Sequence, residues 1–84
     1  MHLTLYSKPG CHLCEGLQEK LEQIEGITLD IRDITTREEW FRAYQYEVPV
    51  LFQGERPIPR PSPRASVAQL AKMLQKYRAD SEAK

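Results

Sequence analysis

The feature that most constrains this chain is a pair of cysteines, Cys11 and Cys14. The pair directly follows a short apolar strand pattern and a turn at residues 8–10, and it opens a helical pattern. Cysteines three residues apart on a helix share one face, with their Cα atoms roughly 5 Å apart, which is within the range that a disulfide spans. A disulfide that closes so short a loop removes little entropy from the unfolded chain. We therefore expect the pair to serve chemistry rather than stability.

Length and composition predict one small domain. The 84 residues are 40% hydrophobic and 29% charged, with 12 basic and 12 acidic side chains. A chain of this length holds a single core, and its balanced charge gives no indication of a nucleic-acid partner. The opening residues enter the first strand pattern directly, without a basic leader or an apolar stretch long enough to span a membrane. We expect a cytoplasmic monomer without a membrane partner, whose thiols are reduced at rest.

Hydrophobic periodicity predicts alternating strands and helices in the first half of the chain. Residues 2–7 alternate as a strand, and leucines at helical spacing from Leu13 onward predict a helix that ends at Gly26. The run 27–31 predicts a second strand, parallel to the first because a helix of suitable length connects the two. A capping box of Thr36 and Glu39 predicts a short second helix. We expect that helix to supply most of the aromatic core, through Trp40, Phe41 and Tyr44.

Prolines organise the second half of the chain. Residues 50–52 form a brief apolar strand, and a turn at residues 53–56 predicts a hairpin to a fourth strand at residues 56–58. Prolines at alternate positions from Pro57 to Pro63 exclude a central strand or a helix interior, so this stretch is predicted to be an extended loop. A last helix is predicted to begin at Ser66, which forms a capping box with Gln69. The predicted domain covers residues 1–78, and residues 79–84 are expected to fray.

The predicted element order is β-α-β-α-β-β-α, with the cysteine pair at the first strand-to-helix junction. The chain resembles glutaredoxin and its shorter relatives within the thioredoxin superfamily, through residues in matching order: Lys8, Cys11, Cys14 and Val48-Pro49. The resemblance covers Leu3 to about Tyr77, and it implies an α/β, thioredoxin-like (glutaredoxin-like) three-layer fold with a four-stranded mixed sheet. The full thioredoxin form is less compatible, because it has an additional strand and helix before its CxxC strand, and only ten residues precede Cys11 here.

The start of the first predicted helix is expected to activate Cys11. The thiolate is the attacking species, and a free cysteine has a pKa of about 8.5. The positive end of the helix dipole and its unpaired N–H groups favour an anion, Lys8 adds a nearby cation, and His12 adds another when it is protonated. Glu15 opposes them with its negative charge. We expect a net lowering of the pKa of Cys11, and a higher pKa for Cys14.

This arrangement predicts a dithiol cycle on protein or glutathione disulfides. Cys11 attacks the substrate disulfide to form a mixed disulfide, and Cys14 then attacks Cys11 to release the reduced product. The oxidised pair must be reduced by another donor. The resemblance implies glutathione as that co-substrate, with a flavoprotein reductase as the alternative, and no permanently bound cofactor.

The resemblance also implies a substrate groove beside Pro49. It implies that Pro49 is cis and faces the cysteines, which leaves the N–H and C=O of Val48 free to pair with an extended substrate or with glutathione. The chain departs from the family after the fourth strand, where glutaredoxins carry a Gly-Gly pair that this sequence lacks. We expect Arg60 and Arg64 there either to bind a carboxylate or to face solvent. Tyr6, beside the turn, is expected to line the cleft.

Metal binding is the main alternative for the cysteine pair. A structural zinc site needs four ligands, and the chain offers one cysteine pair plus His2 and His12. His2 lies at the far end of the first strand, roughly 15 Å away at strand rise. Redox use is therefore favoured and no metal site is predicted, although an iron–sulfur cluster shared across a dimer stays open. The alternative function is a non-catalytic thioredoxin-fold module that binds a peptide or a metal.

Overall fold

The computed structural model describes residues 1–82, with residues 78–82 described by their backbone alone. Within this range the strands are β1 (His2–Ser7), β2 (Thr28–Asp33), β3 (Val50–Gln53) and β4 (Arg56–Ile58). The α-helices are α1 (His12–Glu22), α2 (Glu38–Tyr44) and α3 (Val67–Glu82), and a 3₁₀ helix (Ile34–Thr36) precedes α2. The predicted β-α-β-α-β-β-α order is therefore confirmed.

The four strands form one mixed sheet in the order β2-β1-β3-β4. Strand β1 pairs in parallel with β2 and antiparallel with β3, and β3 forms an antiparallel hairpin with β4. The register sets Leu5 opposite Ile31 on one side and Leu51 on the other. Helix α1 joins the parallel strands β1 and β2 and begins just after β1 ends. The cysteine pair therefore lies at the carboxyl end of the central strand β1.

The sheet separates two packed layers, because successive strand residues point to opposite faces. Leu3 and Leu5 are fully buried and belong to the main core, together with leucines of α1 and α3: Leu17, Leu21, Leu70 and Leu74. Tyr6 points to the other face and packs against aromatic rings of α2. Helices α1 and α3 therefore cover one face and α2 covers the other, which gives the predicted three layers.

Two predicted helix boundaries are wrong. Helix α1 ends at Glu22 rather than at Gly26, and Gly26 instead takes a φ of 81° in the turn before β2. The capping box of Thr36 does not form, because the Thr36 hydroxyl donates to the backbone carbonyl of Asp33 at 2.7 Å. Helix α2 begins after Arg37 without a side-chain cap. Asp33 initiates a 3₁₀ turn that displaces the start of α2 by one residue past the predicted cap.

The prediction that α2 supplies most of the aromatic core is also wrong. No residue of α2 is buried, and Phe41 is 40% exposed. A helix of seven residues covers little of the sheet, so Trp40 and Tyr44 are only half-buried. The aromatic packing is centred on the strand residue Tyr6.

The start of α3 forms as predicted. The backbone N–H of Gln69 donates to Ser66 Oγ at 3.1 Å, and the N–H of Ser66 donates to Gln69 Oε1 at 2.8 Å. Helix α3 continues to Glu82, past the predicted domain end at residue 78. Residues 83 and 84 of the predicted tail lie outside the described residues. Across residues 1–82, none of the helices has both the length and the apolar character that crossing a bilayer requires.

Candidate active site

Cys11 and Cys14 form a disulfide at the first turn of α1, with their Cα atoms 5.3 Å apart. Cys11 is the N-cap residue in extended conformation, and its Sγ accepts a hydrogen bond from the backbone N–H of Cys14 at 3.2 Å. The preceding turn closes with the Cys11 N–H donating to the Lys8 carbonyl at 3.3 Å. Gly10 permits this turn, because its φ of 78° is disfavoured for residues with a side chain.

The two sulfurs differ in accessibility. Cys14 is 2% exposed and lies against the core, whereas Cys11 is only partly buried at the helix end. An incoming sulfur can therefore approach Cys11 but not Cys14. This asymmetry fits the predicted order of attack, which stays a prediction.

Lys8 holds the active-site turn against the end of α2. Its ammonium donates to the backbone carbonyl of Gln45 at 3.3 Å, and Gln45 is the C-cap residue of α2. A neutral carbonyl leaves the charge of the ammonium in place. The predicted action of Lys8 on the Cys11 thiolate stays a prediction.

His12 lies between the cysteines with its side chain 96% exposed, and its Nδ1 lies 3.7 Å from Glu15 Oε2. The contact is an ion pair only when the imidazole is protonated. Glu15 then offsets the positive charge that His12 would offer to a thiolate. The predicted action of His12 on the Cys11 thiolate stays a prediction.

The Val48-Pro49 peptide bond is cis, as the resemblance implies. Pro49 is buried. The Val48 N–H donates to the Tyr44 carbonyl at 3.1 Å, so the prediction that this N–H is free for a substrate is wrong. The backbone after α2 continues in a helical turn that uses the N–H internally. The Val48 carbonyl is the group of this residue that remains a candidate for pairing with an extended substrate.

A groove of about 110 Å³ lies beside the disulfide, between α1 and the proline-rich loop that follows β4. Its walls are mainly apolar and include Leu13, Leu17, Pro49 and Pro61. Arg60 also lines it, and its guanidinium donates to the Glu47 carbonyl. The predicted site residues Pro49, Arg60 and His12 therefore line the same groove.

Two predicted site residues lie away from this groove. The backbone N–H of Arg64 donates to Ser62 Oγ at 3.1 Å, and the side chain of Arg64 is exposed outside the groove lining. Tyr6 lies on the α2 side of the sheet, its ring centroid 4.6 Å from that of Tyr44. The predicted substrate contacts of both residues stay predictions.

The aromatic cluster around Tyr6 alters the titration of its neighbours. Hydrogen bonds to Asp30 and to the Tyr6 hydroxyl raise the pKa of Arg32 above its ordinary value. Burial and the proximity of Tyr6 raise the pKa of Tyr44. Both shifts leave the ordinary protonation states at neutral pH unchanged, a charged Arg32 and a neutral Tyr44.

Comparison with known proteins identifies the family. The family model described as Glutaredoxin-like domain (DUF836) matches residues 2–75. The chain belongs to this glutaredoxin-like family. The structure of the Northeast Structural Genomics target protein XcR50 from X. campestris is similar at a TM-score of 0.70 and 29% identity, covering 88% of this chain and 96% of that one.

The glutaredoxin-like domain is also similar to thioredoxin 1 from the thermophilic eubacterium Thermosipho africanus TCF52B. The TM-score is 0.63 at 17% identity, with 98% of this chain and 99% of that chain covered. This likeness shows a shared fold. None of the curated proteins matches the chain. The glutaredoxin-like domain thus carries CxxC-spaced cysteines on a thioredoxin-like fold, which fits a redox role.

Sequence reasoning missed several groove residues of the glutaredoxin-like domain. Leu13 is 49% exposed, and Gly16 and Lys20 line the same groove one and two helical turns further along α1. The sequence signal that could have found them is their helical spacing after Cys11, which places them on one face of α1. This face lies against the proline-rich loop. Within the described residues, no group of three His, Cys, Asp or Glu side chains is arranged to hold a metal ion.

Proposed function

We propose that this glutaredoxin-like domain is a thiol-disulfide oxidoreductase in which Cys11 is the nucleophile and Cys14 the resolving thiol. The supporting observation is the asymmetry of the pair. Cys11 caps the helix and is partly exposed, whereas Cys14, within the first turn of the helix, is 2% exposed. A substrate disulfide reaches Cys11 first, and Cys14 is held where it can attack only a neighbour.

The proposed cycle exchanges one disulfide for another. The Cys11 thiolate attacks one substrate sulfur, which forms a mixed disulfide and releases the first substrate thiolate. Cys14 loses its proton and attacks Cys11 Sγ, which forms the Cys11–Cys14 disulfide and releases the second substrate thiolate. The two released thiolates take up two protons, one lost by Cys14 and one from the solvent, which received the proton of Cys11 when its thiol ionised. The substrate disulfide gains two electrons, and the cysteine pair loses them.

The start of α1 supplies the stabilisation that the thiolate needs. The helix dipole contributes about 0.3–1 kcal/mol to an anion at its N-terminus, and a pKa unit corresponds to about 1.4 kcal/mol. The N–H of Cys14 already points at Cys11 Sγ. A hydrogen bond to a charged acceptor is worth about 1.5–3 kcal/mol. Together with Lys8 these terms lower the pKa of the Cys11 thiol in the reduced form.

The proposed substrates are protein disulfides or glutathione mixed disulfides, and the oxidised pair is returned to the dithiol by glutathione or by a flavoprotein reductase. Support for a disulfide substrate comes from the groove beside Cys11, which has Pro49 in one wall and α1 in the other. The Val48 carbonyl offers one backbone acceptor to an extended substrate chain.

Reduction assays on a protein disulfide and on a glutathione mixed disulfide test this function. We expect the wild-type chain to reduce both with a dithiol donor, and Cys11→Ser to be inactive on both. Cys14→Ser should accumulate a mixed disulfide at Cys11, visible as a mass increase, and retain part of the activity on the glutathione mixed disulfide. Equal inactivity of the wild type and both variants would instead identify a non-catalytic binding module.

A further inference from the structure

We infer that the groove beside Cys11 selects protein substrates that carry an apolar side chain next to the attacked cysteine and a carboxylate a few residues further on. This inference rests on the proposed function and names the substrate class of the same site. It is carried by four features of the groove: its position, its apolar walls, an unexplained helix glycine and its uncompensated cations.

The groove lies next to the disulfide, and neither cysteine is part of its lining. His12 and Leu13, which lie between the two cysteines, both line it. An extended chain advances about 3.3 Å per residue. A substrate cysteine joined to Cys11 therefore brings residues one or two positions away to the mouth of the groove.

The groove walls suit an apolar side chain. Leu13 is 49% exposed although it is a large hydrophobic residue, and it faces a wall that contains Pro61 and Pro63. The volume of about 110 Å³ is on the scale of the engineered cavity of about 150 Å³ that accepts benzene. An apolar side chain that enters the groove covers Leu13 and releases its hydration water.

Gly16 opens the groove at a position where nothing else calls for glycine. It lies inside α1 without a positive φ, and a Cβ atom added to it meets no heavy atom within 4 Å. Neither backbone conformation nor packing therefore explains a residue that weakens a helix. Because Gly16 lines the groove, the absence of a side chain there leaves the floor of the groove open.

The charged residues of the groove call for an anion. Lys20 donates to the Pro63 carbonyl at 2.8 Å, and Arg60 donates to the Glu47 carbonyl. Neutral carbonyls fix both side chains without cancelling their charge, and no acidic side chain of the described residues lines the groove. A substrate carboxylate therefore completes the site. Glutathione offers carboxylates but has no apolar side chain to place against Leu13.

Peptide disulfides test the inference. Four symmetric disulfides are compared under a dithiol donor: a peptide with leucine beside cysteine and an aspartate beyond, the same peptide with glycine for leucine, the same peptide with lysine for aspartate, and glutathione disulfide. We expect kcat/KM for the first to exceed that for each of the other three about tenfold, since even one methylene group in a hydrophobic pocket is worth about 10–200-fold.

Variants locate the effect in the groove. Gly16→Leu should lower kcat/KM for the leucine peptide about tenfold and lower that for the glycine peptide much less. Ala43→Leu adds the same side chain at an exposed position of α2 and should change neither. Lys20→Gln should reduce the preference for aspartate over lysine, whereas Lys72→Gln, on the exposed surface of α3, should not. Gly16→Ala should raise the melting temperature, which shows that α1 accepts a side chain there.

The outcomes separate this inference from the proposed function. Equal kcat/KM for all four disulfides, or an equal loss with the leucine and glycine peptides in Gly16→Leu, would overturn the inference while leaving a working oxidoreductase. Inactivity of the wild type on all four disulfides would overturn the proposed function itself.

Discussion

The ammonium of Lys8 donates to the backbone carbonyl of Gln45 at 3.3 Å, across 37 residues of sequence. This bond joins the turn before Cys11 to the end of α2, from which the chain leads into Val48-Pro49. One cation therefore connects the turn before Cys11 with the segment that leads to Pro49, which lines the groove. Because its partner is a neutral carbonyl, the positive charge remains to act on a thiolate at Cys11.

Replacing Lys8 tests this electrostatic role. In the reduced protein, Lys8→Gln should raise the pKa of the Cys11 thiol by about one unit, since an opposite charge nearby favours the ionised form. Lys8→Arg should keep most of the lowering. The measurement is the rate of Cys11 alkylation across pH. Lys8→Gln should be slower at pH 6.5 and equal to the wild type at pH 9.5, where the thiolate is fully formed in both. A loss that is the same at every pH would show that Lys8 acts only on structure.

Arg60 and Arg64 form one pair in the sequence but occupy different places in the structure. Arg60 lines the groove, and Arg64 lies outside its lining. We expect Arg60→Gln to raise KM about tenfold for a disulfide peptide that carries an aspartate, because a charge-assisted hydrogen bond is lost. Arg64→Gln should change KM less than twofold. Steady-state kinetics at matched ionic strength decide the point, and equal effects of the two substitutions would count against the groove assignment of Arg60.

The sequence predicts those parts of the fold that depend on local signals. Strand β1, the hairpin of β3 and β4, and the Ser66 cap each follow from a pattern within a few residues. The cis bond at Pro49 follows from the resemblance and not from local signals. The placement of Cys11 at the helix N-cap needs only the turn and the helical periodicity that follows it.

The remainder depends on particular hydrogen bonds, two of them between near neighbours in sequence and one between distant segments. Thr36 carries a capping signal, yet the Thr36 hydroxyl donates to the Asp33 carbonyl in a 3₁₀ turn. The Val48 N–H is consumed by the Tyr44 carbonyl because the chain after α2 keeps turning. The bond from Lys8 to Gln45 joins two separate elements. No periodicity reports such pairings.

The capping box of α3 is a direct test of local stabilisation. Ser66→Ala removes the acceptor for the Gln69 N–H and should lower the free energy of unfolding by about 1 kcal/mol. Ser66→Asp keeps an acceptor and should restore most of the loss. Chemical denaturation with a constant m-value measures both changes. A Ser66→Ala protein as stable as the wild type would show that the cap is redundant in the folded chain.

Acid stability should depend on Asp33. The Thr35 hydroxyl and then the Thr35 N–H donate to this carboxylate, at 2.7 and 2.8 Å, and hold the pKa of Asp33 below its ordinary value of 3.8. A lowered folded-state pKa contributes stability that is complete above the unfolded pKa and is lost as pH falls through the folded pKa. The free energy of unfolding of the wild type relative to Asp33→Ala should therefore be constant above about pH 5 and decrease below about pH 4. A difference that does not vary with pH would refute this role.

The proposed function requires that the sulfur of Cys11 ionise readily once the disulfide is reduced. The most direct measurement is the pH dependence of iodoacetamide alkylation of the reduced protein, with modification at Cys11 quantified by mass spectrometry. We predict a pKa for Cys11 at least about one unit below the value of about 8.5 of a free cysteine, with Cys14 reacting far more slowly. A pKa at or above 8.5 for Cys11 would contradict the account.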